Sequence, residues 1–305
     1  MATIALLDGG LGQEISKRSS SDKAHPLWSV KVMDDEPQIV IDVHKEFILA
    51  GARTITGNNY TATQSRLDRH GYGDRFTDFH RTAITLVEQA INESKIARDT
   101  ISIAGCLPPI AASYVAEAAL DYHASFDAYC QNITAQKDHV DIFLVETISN
   151  ITEAKAAAAA LSSFGLPAII GLTLKDDGSN HLRSDEPLEQ AIEALGAAGI
   201  SALNVNCCYP EAIDKAMPVL GKSGLRVGGY ANGFTSIEAL APGLTVDTLS
   251  ARQDLSMQRY ADHVARWIDD GATIVGGCCE ISPAYIAHLH GNLIAKGHQL
   301  EKLTA

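Results

Sequence analysis

Eight short apolar runs, each ending in small or polar residues, constrain this chain more than any other feature. They are TIALLDGG (3–10), ARTITGNN (52–59), ISIAGCLP (101–108), VDIFLVET (140–147), PAIIGLTL (167–174), ALNVNCC (202–208), LRVGGYANG (225–233) and ATIVGGCC (272–279). Each is nearly continuous in hydrophobic residues, as a strand buried on both faces of a parallel sheet reads. Helical patterns lie between them, such as EPQIVIDVHKEFILAGA and TDFHRTAITLVEQAINESKIA, and several close with glycine just before the next strand. Parallel strands need such crossovers, so the string predicts an α/β fold of eight βα units. An open doubly wound sheet can carry the same string. A single (β/α)8 TIM barrel is the favoured reading, and 305 residues suffice for a core of roughly 250. Segment 11–34, polar and poorly periodic, reads as a large loop after the first strand. No repeat or linker divides the chain, so one domain over 1–305 is expected.

Composition narrows the partners. A formal net charge of −13 without any lysine and arginine run argues against nucleic acid and anionic membranes, leaving small molecules. No stretch approaches about 20 apolar residues and no basic segment precedes the short apolar start, so the default expectation is cytoplasmic. Six cysteines are too few for a disulfide scaffold in a chain this long, which makes their placement informative.

The unusual residues sit at strand ends: Asp8 after the first run, Glu146 in the fourth, Cys207 and Cys208 in the sixth, Cys278 and Cys279 in the eighth. In a barrel these ends converge on one mouth. A buried cysteine is more often a small hydrophobe than a ligand, and Cys106 and Cys130 are read that way. Two doublets converging on one mouth are another matter. Neighbouring cysteines are poorly placed for a mutual disulfide, since adjacent Cα atoms lie about 3.8 Å apart. Three thiolates from two strands can instead supply three corners of a tetrahedron around Zn²⁺ and leave the fourth open. Gly276 and Gly277 are expected to supply the backbone freedom that turns both following thiols onto one ion. With no CxxC and doublets about 70 residues apart, a closed structural zinc site is the weaker reading. A thiolate-rich zinc suits binding a substrate thiol as thiolate while leaving its sulfur electron-rich, so alkyl transfer to a thiol is the reaction class that fits.

Asp8 with Gly9 and Gly10 reads as an ordered turn whose amides meet a substrate carboxylate. Glu146 suits the ammonium of an amino acid or a cationic donor. Tyr60 and Tyr230 are aromatic candidates for holding a methylated cation, with a core role the alternative for each. His25 and His181 are expected to be solvated loop histidines. HExxH, GxSxG, Walker A and GxGxxG patterns are absent, so hydrolase, phosphoryl-transfer and Rossmann readings lack support.

Taken together, DGGLG near the start, LWS (27–29), FLVETI (143–148), VNC (205–207), YANG (230–233) and GGCC (276–279) resemble the homocysteine S-methyltransferase family over nearly the whole chain. That resemblance implies a (β/α)8 barrel with zinc held by Cys207, Cys278 and Cys279, and Cys208 as a spare thiol. It also implies a homocysteine pocket lined by Asp8, Gly9, Glu146 and Gly277; Gly10, Tyr60 and Asn206 complete the expected substrate contacts. The implied reaction moves a methyl group from a sulfonium or ammonium donor, S-methylmethionine first, to homocysteine, giving methionine. Another thiol or selenol acceptor, a methylated-cation demethylase, and a non-catalytic zinc- and thiol-binding barrel are the alternatives. The chain departs from the family's pattern at TGNNY (56–60), GCLPP (105–109) and YANGF (230–234), loops expected on the donor side.

Overall fold

The structure, a computed structural model, describes residues 1–21, 25–237 and 249–304. Strand β1 (Thr3–Leu6) leads into α1 (Leu11–Arg18), α2 (Ser29–Asp35) and α3 (Pro37–Leu49), and β2 (Thr54–Thr56) into α4 (Gln64–Arg69) and α5 (Phe76–Ser94). The alternation continues through β3 (Ser102–Leu107), α6 (Tyr122–Gln136), β4 (Ile142–Ile148), α7 (Ile151–Ser163), β5 (Ile169–Leu172) and α8 (Leu188–Ala197). It ends with β6 (Ala202–Asn206), α9 (Pro210–Leu220), β7 (Arg226–Tyr230), α10 (Met257–Asp269), β8 (Ile274–Val275), α11 (Pro283–Ala295) and β9 (Gln299–Glu301).

All strand pairs are parallel, in the order β2-β3-β4-β5-β6-β7-β8-β1-β9. The sheet closes at the top of β1, where Leu7 bridges Thr54, Arg53 N donates to Leu6 O at 2.9 Å and Asp8 N donates to Thr54 O at 3.1 Å. This is the expected (β/α)8 barrel. Lower down, β9 pairs with β1 and the chain after it seals the floor: Leu303 N donates to Thr54 Oγ1 and Ser102 Oγ donates to Leu303 O. This ninth strand is too short and too polar to register as an apolar run.

The pleat of period two decides which side chains face the axis. Ala5, Leu7, Ile142, Leu144, Ala202 and Ile274 form an inner core with Leu303, while Ile4, Leu6, Phe143, Val145, Leu203 and Val205 pack outward beneath the helices. Segment 11–34 corrects the sequence reading, for α1 and α2 occupy most of it, and residues 22–24 lie outside the described residues. At 8 and 7 residues these helices are too short for a periodicity to stand out. Among the described residues, no helix is long and apolar enough to cross a membrane.

Candidate active site

The barrel brings the Sγ atoms of Cys207, Cys278 and Cys279 within 4.8 Å of one another, from the ends of β6 and β8. The edges of this triangle are 2.6 Å (Cys207–Cys278), 3.6 Å (Cys207–Cys279) and 3.9 Å (Cys278–Cys279). Three thiolates on a tetrahedral Zn²⁺ at about 2.3 Å would stand about 3.8 Å apart, so two edges already fit and the third would open by about 1 Å. Burial pushes the Cys207 thiol up, and the Cys207 contact does the same to Cys278, while both neighbours' S–H groups hold Cys279 down. Burial and mutual contact thus set the three thiols against one another. A divalent cation would displace the remaining protons and relieve the burial of charge, so the donor set fits a metal.

How two cysteines at 207 and 208 part company is a matter of backbone. Cys207 sits at φ 53, in the left-handed region that few non-glycine residues adopt, and this turns its side chain to the mouth. Cys208 packs fully buried in the outer core and is absent from the triangle. Cys106 is buried at the end of β3, where its Sγ donates to Glu146 Oε2 at 3.4 Å, and Cys130 packs half-buried on α6.

Gly276 and Gly277 of GGCC do something other than expected. Neither Gly276 nor Gly277 adopts a positive φ. They are needed for close approach: a Cβ on Gly276 would lie 2.6 Å from Leu7 Cβ, and one on Gly277 would lie 2.3 Å from Ile281 Cγ2. On the facing turn, a Cβ on Gly9 would lie 2.2 Å from Ile281 O and one on Gly10 2.8 Å from Cys278 O. Gly277 N donates to Asp8 O and Gly10 N to Ile281 O, lacing the end of β1 to the end of β8. Gly10 lines the cavity, but its amide is engaged with Ile281 O rather than turned to the cavity.

Both acids lie on the cavity wall. Asp8 accepts from Thr56 N at 2.8 Å and from Thr56 Oγ1 at 3.3 Å, and burial raises its pKa to about 8 against those bonds. Glu146 is aimed inward by a bulge. Val145 pairs with Ile170 and Ile148 with Leu172, so Glu146 and Thr147 together face Gly171 alone. Burial raises the Glu146 pKa to about 7. Asn206, expected to touch substrate, is not on the cavity wall. Its Oδ1 accepts from Thr147 N at 2.9 Å and its Nδ2 donates to Thr147 Oγ1 at 3.0 Å, holding Thr147 at φ 62. Asn206 therefore positions the bulge.

The cavity encloses about 360 Å³ and reaches the three cysteines, both acids, Gly277, Tyr60 and Tyr230. Tyr230 is fully buried in the inner core at its floor. Tyr60 shares a hydrogen bond with Ser113 at 2.8 Å, and one face of its ring is taken by the Arg66 guanidinium, 5.7 Å from the centroid. His25 packs edge-on against His70 at 5.6 Å, and His181 is held by its own loop; neither lines the cavity.

Several wall residues were not singled out from the sequence. Tyr114 hydrogen-bonds Cys207 Sγ at 2.9 Å and itself lies at φ 65, with Arg183 over its ring. Trp28, at φ 50, lays its ring on Gly12 where any Cβ would collide at 2.2 Å, and its buried indole N–H has no partner among the described residues. Strain in Trp28, Tyr114, Thr147 and Cys207 gathers at one mouth, as expected where a site dictates backbone conformation. LWS carried a signal for Trp28; nothing local marks the others.

Comparison with known proteins agrees with this geometry. The family model described as homocysteine S-methyltransferase matches residues 5–293. A homocysteine S-methyltransferase of Escherichia coli (strain K12) is 29% identical over 94% of each chain, and a selenocysteine methyltransferase of Astragalus bisulcatus is 26% identical over 94% of this chain and 91% of its own. The solved structure of the homocysteine methyltransferase MmuM from Escherichia coli in its metallated form shares the fold, with a TM-score of 0.77 at 24% identity over 95% of this chain and 96% of that one. A barrel closed at Leu7, a thiol triangle at its mouth and a family match spanning both place this chain in the homocysteine S-methyltransferase family.

Proposed function

We propose that Cys207, Cys278 and Cys279 hold one zinc ion, and that the chain, acting as one barrel domain over 1–305, moves a methyl group from a sulfonium or ammonium donor to homocysteine, giving methionine. The observation that carries this reading is three Sγ atoms within 4.8 Å on the same cavity as two carboxyl groups, the buried Asp8 and the half-buried Glu146. Zinc bound there would hold an acceptor thiol as its thiolate at neutral pH without removing its nucleophilicity.

The chain's own residues then set binding and orientation. Glu146 receives the acceptor's ammonium, and the Gly9 amide, beside an Asp8 fixed by Thr56, receives its carboxylate. Tyr60, Trp28 and Tyr114 wall off water and hold the donor in line. In the transfer the new S–CH₃ bond forms as the donor's S–CH₃ or N–CH₃ bond breaks; the bonding pair stays with the donor heteroatom, which leaves uncharged. S-methylmethionine is the first donor to test. A selenol acceptor is the second reading, supported by the selenocysteine methyltransferase relative.

The test is mass-spectrometric detection of methionine from homocysteine with S-methylmethionine, betaine and S-adenosylmethionine, with selenocysteine as a parallel acceptor and zinc assayed in the same samples. Metal-free protein with full transfer, or no methylated product from any pair, would end this reading.

Glu146→Gln separates binding from stability. A carboxyl group raised from 4.5 to about 7 binds more protons folded than unfolded, so its contribution falls as pH rises from about 4.5 to 7. Removing it should stabilise the metal-free, ligand-free protein at pH 8 by up to about 3 kcal/mol, with no gain at pH 4. The same variant should raise KM for homocysteine at least about tenfold. Equal thermal shifts at pH 4 and pH 8 would refute the assignment.

A further inference from the structure

The cavity has a second pole that the reading above leaves without a task. Its acids, Asp8 and Glu146, stand at the ends of β1 and β4; α4, which follows β2, and the residue after it present Arg66, Arg69 and His70 to the same cavity. Arg66 is the half-buried member of the three. Among the described residues no carboxylate lies within 4.0 Å of it, whereas the half-buried Arg75, Arg183, Arg226 and Arg252 each pair with an acid at 3.0 Å or less; half-buried Arg53 is likewise without such a pair, but it donates to Ile48 O and Ala52 O away from this cavity. Among the described residues the hydrogen bonds of Arg66 go to two carbonyls, Pro109 O at 3.1 Å and Tyr60 O at 3.4 Å. A guanidinium offers five donors and stays charged, so this one faces the cavity with donors to spare, its charge met at longer range by Glu153, which accepts from Ile110 N and Tyr129 Oη instead. It also occupies one face of Tyr60, so a bare cation brought to that ring meets a like charge nearby.

We infer that Arg66 is the receptor for a carboxylate on the methyl donor, so that this chain selects zwitterionic onium donors and rejects onium cations that lack an acid group. The inference rests on the methyl-transfer reading for its substrate but not for its test. A zwitterion satisfies both poles at once: its carboxylate pairs with Arg66 and its onium end points toward the carboxyl and thiol side. Removing the carboxylate leaves Arg66 unpaired and adds repulsion, which is discrimination by an unsatisfied buried group.

The experiment compares donors in matched pairs, S-methylmethionine with its α-carboxamide and glycine betaine with its carboxamide, using wild type, Arg66→Gln, Arg66→Lys and Arg69→Gln. Wild type should favour the acid over the amide by about 30-fold in kcat/KM, mostly through donor KM. Arg66→Gln should shrink that ratio to within about threefold, with Arg66→Lys between, while KM for homocysteine stays put. Calorimetric binding of S-methylmethionine and its amide without an acceptor reads the same ratio when no turnover is possible. Should no methionine form from any donor while this binding ratio persists and collapses in Arg66→Gln, the proposed reaction fails and the Arg66 assignment stands. A wild-type ratio near one, parallel losses for acid and amide in Arg66→Gln, or collapse in Arg69→Gln instead would overturn it.

Discussion

Cys207→Ala is expected to leave the protein with almost no bound zinc and at least about a hundredfold less methyl transfer, whereas Cys208→Ala keeps about one equivalent and most activity. The neighbours differ because the left-handed backbone at Cys207 sends its Sγ into the triangle, 2.6 and 3.6 Å from its partners, while Cys208 is packed in the outer core. Cys208→Ala removes one buried sulfur and should cost about 1 kcal/mol of stability, since the gap it opens is small. Zinc per chain and thermal unfolding, measured on both variants, check this. Equal zinc loss in the two would reassign the ligand.

Gly9→Ala should damage fold and site together. Its Cβ would sit 2.2 Å from the backbone oxygen of Ile281 and 2.9 Å from Phe47 Cε1. A backbone oxygen cannot rotate aside as a long side chain can, so the β1 turn has to part from the loop that carries Cys278 and Cys279. The lacing bonds Gly10 N to Ile281 O and Gly277 N to Asp8 O are then strained or lost. Overpacking of about 1–3 kcal/mol and up to two buried hydrogen bonds at about 1 kcal/mol each imply a loss of about 3–5 kcal/mol. Zinc affinity, read by chelator competition, should fall in parallel. Gly196→Ala is the control: on α8 its added Cβ meets nothing within 4 Å, and it should gain up to about 1 kcal/mol from helix propensity. A Gly9→Ala protein with unchanged Tm and zinc affinity would show that this close approach is not required.

The barrel was legible because each strand is buried on both faces, and continuous apolar runs such as VDIFLV announce that whatever the loops do. What the runs could not show is closure through a single bridge at Leu7 and Thr54, or a polar ninth strand whose following Leu303 seals the floor. The acids and thiols at the strand ends were legible by chemistry. Their roles were less so: GGCC suggested unusual dihedrals, and the structure shows ordinary φ values with backbone and side chains pressed together. Asn206, placed among the substrate contacts by its position in VNC, instead holds Thr147.

By itself the sequence determined the alternation of buried parallel strands and helices, with a barrel as the favoured closure, the ends of the strands as the place of chemistry, and thiols and carboxyl groups as the reagents there. Burial patterns and residue chemistry are local properties, and they survive in one dimension. Only the tertiary structure decided how Cys207 turns inward while Cys208 packs outward, that a bulge aims Glu146, and that Arg66 has no carboxylate within 4.0 Å among the described residues. Each of these depends on a backbone dihedral or a through-space distance between strands and loops far apart in the chain, and no local pattern encodes such a distance.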